Sequence, residues 1–223
     1  MKMIFASDSF KGSLSSQQIL TLLKQAAEQV FPGVKTSGVL MADGGEGTVD
    51  ALVSQLGGTY ETIVVHDPCF RLDEAGYGIL PEGSAVIEMA AASGLPMGPA
   101  DKRNPMETTS YGTGELIVHA LSQGIRKIAI AIGGSATNDG GMGMLAALGV
   151  RFLDESGSLL RGCGGDLEKV ASIDLSGLHP AIGETEFTVM CDVTNPLLGP
   201  EGATFTFSAQ KGADAVMQQC LEA

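Results

Sequence analysis

With 223 residues, 44% of them hydrophobic, the chain holds enough apolar material for one large domain or two small ones. Thirteen basic residues against 26 acidic ones leave a net charge of −13, which repels nucleic acid and anionic membrane surfaces and excludes both as partners. No apolar run reaches membrane-spanning length and the start is too short for a secretory signal, so a cytoplasmic protein is expected. Cys69, Cys163, Cys191 and Cys220 form no CxxC pair and are expected as reduced thiols.

Met3 to Ala6 predicts a first strand, followed by the polar loop DSFKGS and a helix over about Ser15 to Val30. The Ser13 to Gln18 run supplies capping hydroxyls and a first-turn Gln, and Pro32-Gly33 ends that helix. Ser37 to Met41 predicts a second strand. ADGGEGT then leads into a helix near Val49 to Leu56, stopped by Gly57-Gly58. Between about Thr59 and Glu88 the rhythm changes. Thr62 to Val65, Gly76 to Leu80 and Ala85 to Met89 predict strands joined by turns, a meander that points to a second, smaller domain or a sheet extension.

Thr113 to Gln123 predicts a helix closed by Gly124, and it feeds the apolar run Ile128 to Ile132, which reads as a buried parallel strand. That strand breaks into GGSATNDGG before an apolar segment of helical period (Met142, Leu145, Ala146, Leu148). Phe187 to Cys191 predicts another strand, followed by DVTNPLLGPEGA, Phe205 to Phe207 and a helix from about Ala213. This helix has no C-cap and no following strand, so an incomplete C-terminus is expected. The expected fold class is α/β: an open, mostly parallel, Rossmann-like sheet with flanking helices, plus a smaller mixed α/β domain. Residues 1–58 and 108–160 are assigned to the first domain, and 59–107 with about 161–223 to the second.

Four loops share one design, in which a strand gives way to carboxylates, amides and hydroxyls among glycines and then to a helix. They are Ser7 to Ser13, Asp43 to Thr48, Gly133 to Gly141 and Asp192 to Pro196. If their strands run parallel, the loops meet at one sheet edge, and Asp8, Asp43, Glu46, Asn138, Asp139, Asp192 and Asn195 converge on one cleft. For a single loop, helix capping or an Asp-Gly turn explains the residues equally well; for four together, a site is favoured. No Walker A motif is present, and Gly141 to Ala146 fits GxGxxA only beyond the loop, without an acidic ribose ligand.

The histidines are scattered, and Asp166 and Glu168 read as a surface turn and helix start. Lys11, Arg71, Arg103 and Lys211 lie beside the polar loops. Solvated surface charge is the default for such residues, but Lys11 and Lys211 stand apart because each sits among small residues. Carboxylates for a metal, cations for phosphate oxygens and glycine N–H donors together suit phosphoryl transfer, which needs positioning and charge neutralisation above all.

DSFKGS, MADGGEGT, EMAAASGLP, RNPMETTSYGTGELI, IGGSATNDGGMGMLAALG, CDVTNPLLGPEGA and QKGA resemble, in this order, the bacterial glycerate kinase family of type 1. The resemblance implies transfer of the ATP γ-phosphate to D-glycerate with Mg²⁺, by two α/β domains with the site between them. Members of that family continue well beyond a position like Ala223. Cys69-Phe70 departs from the small turn usual before the arginine matching Arg71.

The roles it suggests are expectations. Gly133, Gly134, Ser135, Thr137, Asn138, Asp139 and Gly140, with the following helix N-terminus, hold the ATP phosphates. Asp43 and Glu46, joined by Asp192 in one version, bind Mg²⁺. Lys11 and Arg71 hold the glycerate carboxylate or the transferring phosphoryl group, Ser9, Asn195 and Lys211 contact substrate, and Asp8 or Asp192 accepts the hydroxyl proton. A non-catalytic sugar-acid or nucleotide-binding module and a metal-dependent phosphohydrolase remain the competing readings. The 2- or 3-hydroxyl as acceptor stays open, as does the assembly, a homodimer among the options.

Overall fold

The computed structural model describes residues 1–10, 13–42, 44–98 and 100–223. The chain begins with β1 (Lys2–Ser7), α1 (Ser16–Val30), β2 (Lys35–Leu40) and α2 (Thr48–Leu56). The start of α1 is a capping box. Gln18 N–H donates to the Ser15 hydroxyl while the Gln18 side chain accepts from Ser15 N–H, so two otherwise orphaned donors are satisfied. α2 ends at Gly57, whose φ of +77° is the left-handed conformation that glycine adopts at least cost. β1 and β2 pair in parallel with Ser7 opposite Leu40, so the loops after both strands start side by side. α1 packs on this pair, with Leu20 and Lys24 against Gly38; the strands still leave Ile4 and Val39 exposed.

A meander follows, β3 (Thr59–His66), β4 (Leu72–Ile79) and β5 (Ala85–Glu88), then α3 (Met89–Ser93), α4 (Tyr111–Ser122) and β6 (Lys127–Ala131). Beyond these come α5 (Met142–Ala147), β7 (Arg151–Leu153), β8 (Ser172–Asp174), β9 (Glu186–Met190), α6 (Ala203–Phe207) and α7 (Ala215–Glu222). Phe205 to Phe207 thus belong to a short helix. The α/β class read from the sequence holds. The main sheet has strand order β3-β4-β5-β6-β9, antiparallel through the meander and parallel from β5 to β9. β7 and β8 form a small antiparallel pair beside α5.

Side-chain alternation decides what each sheet face covers. Ala85, Ile87, Ile128 and Ile130 join Leu116, Ile117, Ala120 and Leu121 of α4 in one core, while Val86 and Ala129 turn to the other face and meet Val49 and Val53 of α2. All four residues of β5 are buried, as expected of a strand covered on both faces.

Strand pairing corrects the expected division of the chain. β6, from the 108–160 segment assigned with 1–58, shares one sheet with β5 from 59–107 and with β9 from 161–223. The meander is therefore an extension of the sheet that carries the glycine loop, and β1 and β2 stand apart from it. The reason is physical: Ile128 and Ile130 can bury themselves only against α4, whose other contacts are Val65, Tyr77 and Ile87 of the meander. Asp166 is likewise no surface residue; it is buried in a 3₁₀ turn over Gly164–Lys169 and accepts from Arg161 N–H, Gly162 N–H and Lys169 Nζ. Among the described residues no helix is long and apolar enough to cross a membrane.

Candidate functional site

The parallel register sets the site. Glu88 pairs with Ala131 and Ala131 with Met190, so the carboxyl ends of β5, β6 and β9 finish level. The ends of β1 and β2 reach the same place through a backbone junction: Gly133 N–H donates to Gly44 O at 3.0 Å, and Gly44 lies against Met190 O. A Cβ on Gly133 would stand 2.8 Å from Gly45 Cα and 2.9 Å from Gly44 O, so only glycine permits this approach. Two of the four loops therefore meet in backbone contact, beside the strand end from which the Asp192 loop departs. The loop after β1 joins through a cavity of about 510 Å³ that Ser9 and Glu46 line together with Asp50, Tyr60 and Glu88. Asp43 and Lys11, expected as metal ligand and catalytic cation, lie outside the described residues.

Within the Gly133 to Gly141 loop the side chains divide between inside and outside. Asp139 is buried and accepts four hydrogen bonds: Ser110 N–H and Ser110 Oγ–H at 2.7 Å each, Gly141 N–H at 3.1 Å and Gly143 N–H at 3.2 Å. Ser110 Oγ in turn accepts from Met144 N–H at 2.9 Å. The first-turn donors of α5 are thus taken up by Asp139 and Ser110, which corrects the expectation that this helix N-terminus is open to phosphate. Asp139 itself shapes the loop from within, while Gly134 and Gly140 are exposed and Ser135 and Asn138 half-buried.

Lys211 is buried behind the same loop. Its Nζ donates to Thr137 O at 2.6 Å and to Ser135 Oγ at 2.9 Å, committing two of its three donors to the loop. Burial pulls its ammonium pKa down to about 8, against the opposing pull of the Asp139 carboxylate. The sequence singled out Lys211 as a cation with few packing reasons to exist, and its partner is the glycine loop.

The remaining expected residues are placed as follows. Asp8 is half-buried and accepts from Ser9 N–H at 2.7 Å. Glu46 and Asp192 are exposed. Asn195 is also exposed, but its amide is held by Glu201 O at 2.8 Å and reaches Thr206 Oγ1 at 3.3 Å, which ties it to its own loop. Arg71 pairs with buried Asp67 (Nε to Oδ2 at 2.7 Å, Nη2 to Oδ2 at 2.6 Å) and donates to Met97 O.

Glu88 is a site residue that the sequence did not single out. It ends β5, is buried, and accepts from Val49 N–H at 2.6 Å, supplying from another strand the cap that Gly47 cannot give α2. Burial raises its carboxyl pKa, and the amide donors of Val49 and Gly47 oppose that.

Among the described residues no three His, Cys, Asp or Glu side chains gather as a metal-binding group. Mg²⁺ in nucleotide sites usually takes only one or two protein carboxylates, the rest coming from phosphates and water. Glu46 and Asp192, both exposed near the junction, fit that smaller demand.

Level strand ends, a glycine loop braced from behind by a buried lysine, and an acidic rim define an α/β protein with a candidate site at the carboxyl ends of the parallel strands of its mixed sheet. The family model described as the glycerate kinase family matches residues 3–223, and the chain belongs to that family. It is 50% identical over 223 residues to the glycerate kinase of Bacillus subtilis (strain 168), covering 100% of this chain and 58% of that protein. It is 46% identical over 218 residues to the glycerate 2-kinase of Escherichia coli (strain K12), covering 97% and 57%. A crystal structure of a Salmonella typhimurium LT2 protein assigned as glycerate kinase 2 superposes with a TM-score of 0.84 at 47% identity, covering 100% of this chain and 60% of that one. The chain thus spans somewhat over half the length of the relatives it matches.

Proposed function

We propose that the protein transfers the γ-phosphoryl group of ATP to D-glycerate, with the 2-hydroxyl as acceptor. The observation that carries this reading is the junction of Gly44, Gly133 and Met190, where the ends of parallel strands from two sheets come together. Family membership supports glycerate as acceptor, and the name of the Escherichia coli relative supports the 2-position.

In the proposed reaction the acceptor oxygen forms a bond to Pγ as the bond from Pγ to the β,γ-bridging oxygen breaks and ADP leaves. The acceptor proton passes to a carboxylate, for which Asp8 and Asp192 are the candidates. Gly133, Gly134, Ser135, Asn138 and Gly140 are assigned to the nucleotide phosphates, while Asp139, Thr137 and Lys211 hold that loop in shape. Arg71 binds the glycerate carboxylate. Asp43, Glu46 and Asp192 are the proposed Mg²⁺ ligands; when bound, the ion neutralises phosphate charge that a chain of net charge −13 otherwise repels.

Incubation with ATP, Mg²⁺ and D-glycerate is the test, with coupled detection of ADP and phosphorus NMR of the product. ADP in step with 2-phosphoglycerate is expected. ADP with inorganic phosphate alone would make the protein a hydrolase, and no ADP at all would leave a binding module. Asp192→Asn and Asp43→Asn should each lower kcat by about two orders of magnitude or more while leaving the fold intact.

A further inference from the structure

β1 and β2 form a sheet of their own, so whatever holds the loop after β2 against the main sheet must cross between the two. One crossing is the bond from Gly133 N–H to Gly44 O. A second is Glu88, which accepts from Val49 N–H at 2.6 Å and from Gly47 N–H. A third, Tyr60 Oη–H to Asp50 Oδ1 at 2.8 Å, comes from a residue that is half exposed. Between the first two crossings the loop is closed on itself, because Thr48 is buried and its Oγ1–H donates to Gly45 O at 2.8 Å. Anchoring both ends of so short a segment therefore fixes all of Gly44 to Gly47.

Glu88 is an unexpected residue to find at its position. Ala85, Val86 and Ile87 before it are fully buried and apolar, and an apolar fourth residue would extend that core. A buried carboxylate is costly unless paired, and the charges of Asp50 and Glu46 have its own sign. Nor does Glu88 serve its own helix: it stands at the N-cap of α3 and makes no side-chain capping bond there. Its side chain instead crosses to α2, 39 residues earlier in the chain. Ser, Thr, Asn or Asp at position 47 would cap α2 more simply, but Gly47 adopts φ +92° there. A cap supplied from β5 does more than end the helix. Glu88 pairs with Ala131, two residues before Gly133, so both anchors of the Gly44 to Gly47 loop sit on adjacent strand ends of the main sheet.

We propose that Glu88 is a positioning residue for phosphoryl transfer, setting the Gly44 to Gly47 loop against the Gly133 to Gly141 loop through its two amide partners. The kinetic consequence rests on the glycerate-phosphorylating reading above; the placement does not. Glu88→Ala should lower kcat about a hundredfold, the scale of a displacement of about 1 Å, with KM for ATP and D-glycerate changed less than about threefold. Glu88→Gln keeps an oxygen for Val49 N–H and should stay within about tenfold of the unaltered kcat.

Hydrogen–deuterium exchange reads the placement without the reaction. In Glu88→Ala, exchange should quicken about tenfold or more in peptides covering 44–50 and also in those covering 131–136, and Glu88→Gln should restore most of the protection. Should Glu88→Ala fail to fold, Glu88→Asp replaces it: the charge is kept and the reach is one methylene shorter, so kcat should fall further than in Glu88→Gln. A lower melting temperature with unaltered kcat, or quickened exchange confined to 44–50, would show that Glu88 merely caps α2 and would overturn the proposal. Glu88→Gln as impaired as Glu88→Ala, or less active than Glu88→Asp, would assign the effect to charge and overturn it too. A protein that forms no phosphoglycerate would defeat the kinase reading, and the exchange pattern would still decide the role of Glu88.

Discussion

Asp139 offers the sharpest test of how the glycine loop is held. Its Oδ2 accepts from Ser110 N–H, Ser110 Oγ–H and Gly143 N–H, and its Oδ1 accepts from Gly141 N–H, all on a residue that is 2% exposed. Asp139→Ala strands the buried amides of Ser110 and Gly143, and each unsatisfied buried donor costs about 1–3 kcal/mol, so a loss of about 2–6 kcal/mol is expected. That is a large share of the roughly 5–15 kcal/mol by which a domain is stable. Asp139→Asn can keep an oxygen at the Oδ2 position and sets its NH₂ against Gly141 N–H only; about 1–3 kcal/mol is expected. Urea unfolding with an unchanged m-value measures both. If Asp139→Ala lies within about 0.5 kcal/mol of the unaltered protein, the carboxylate does not organise the loop and the reasoning fails.

Further outcomes follow from the same geometry. Lys211 holds its proton to about pH 8 in the folded chain and to about 10.5 when unfolded, so between those values the unfolded state binds more protons and stability rises with pH. Relative to Lys211→Met, the unaltered protein should gain up to about 3 kcal/mol across that window, read from unfolding curves at a series of pH values; a flat difference would contradict it. Gly133→Ala pushes a Cβ against the backbone of Gly44 and Gly45, and a displacement of about 1 Å at that junction should lower kcat/KM by about a hundredfold. Glycerate phosphorylation at the unaltered rate in that variant would show that the junction does not position the site.

Much of the local structure was legible because it is encoded locally. Ser15 and Gln18 announced the capping box, Gly57 the end of α2, and the apolar run from Ile128 a parallel strand, which ends at Ala131 and leaves Ile132 exposed. The four loops were visible as a set, since each repeats the same passage from strand through glycine and carboxylate to helix. What was not legible depends on partners far apart in the chain. The grouping of strands followed from which apolar face α4 covers, and nothing within 108–160 says that its strand pairs with Ala85 to Glu88. Asp139 carried the same signal as a solvent-facing ligand; only Ser110, brought in on α4, turned it inward. Arg103 looked like ordinary surface charge because its partner Gln210 lies 107 residues away.

The most direct examination of the proposed site is a crystal structure with a non-hydrolysable ATP analogue and D-glycerate bound. The triphosphate is expected against Gly44 to Glu46, Gly133 to Asn138 and the Asp192 loop, with the glycerate carboxylate toward Arg71. A triphosphate bound away from the junction of Gly44, Gly133 and Met190 would contradict the assignment of these loops to phosphoryl transfer.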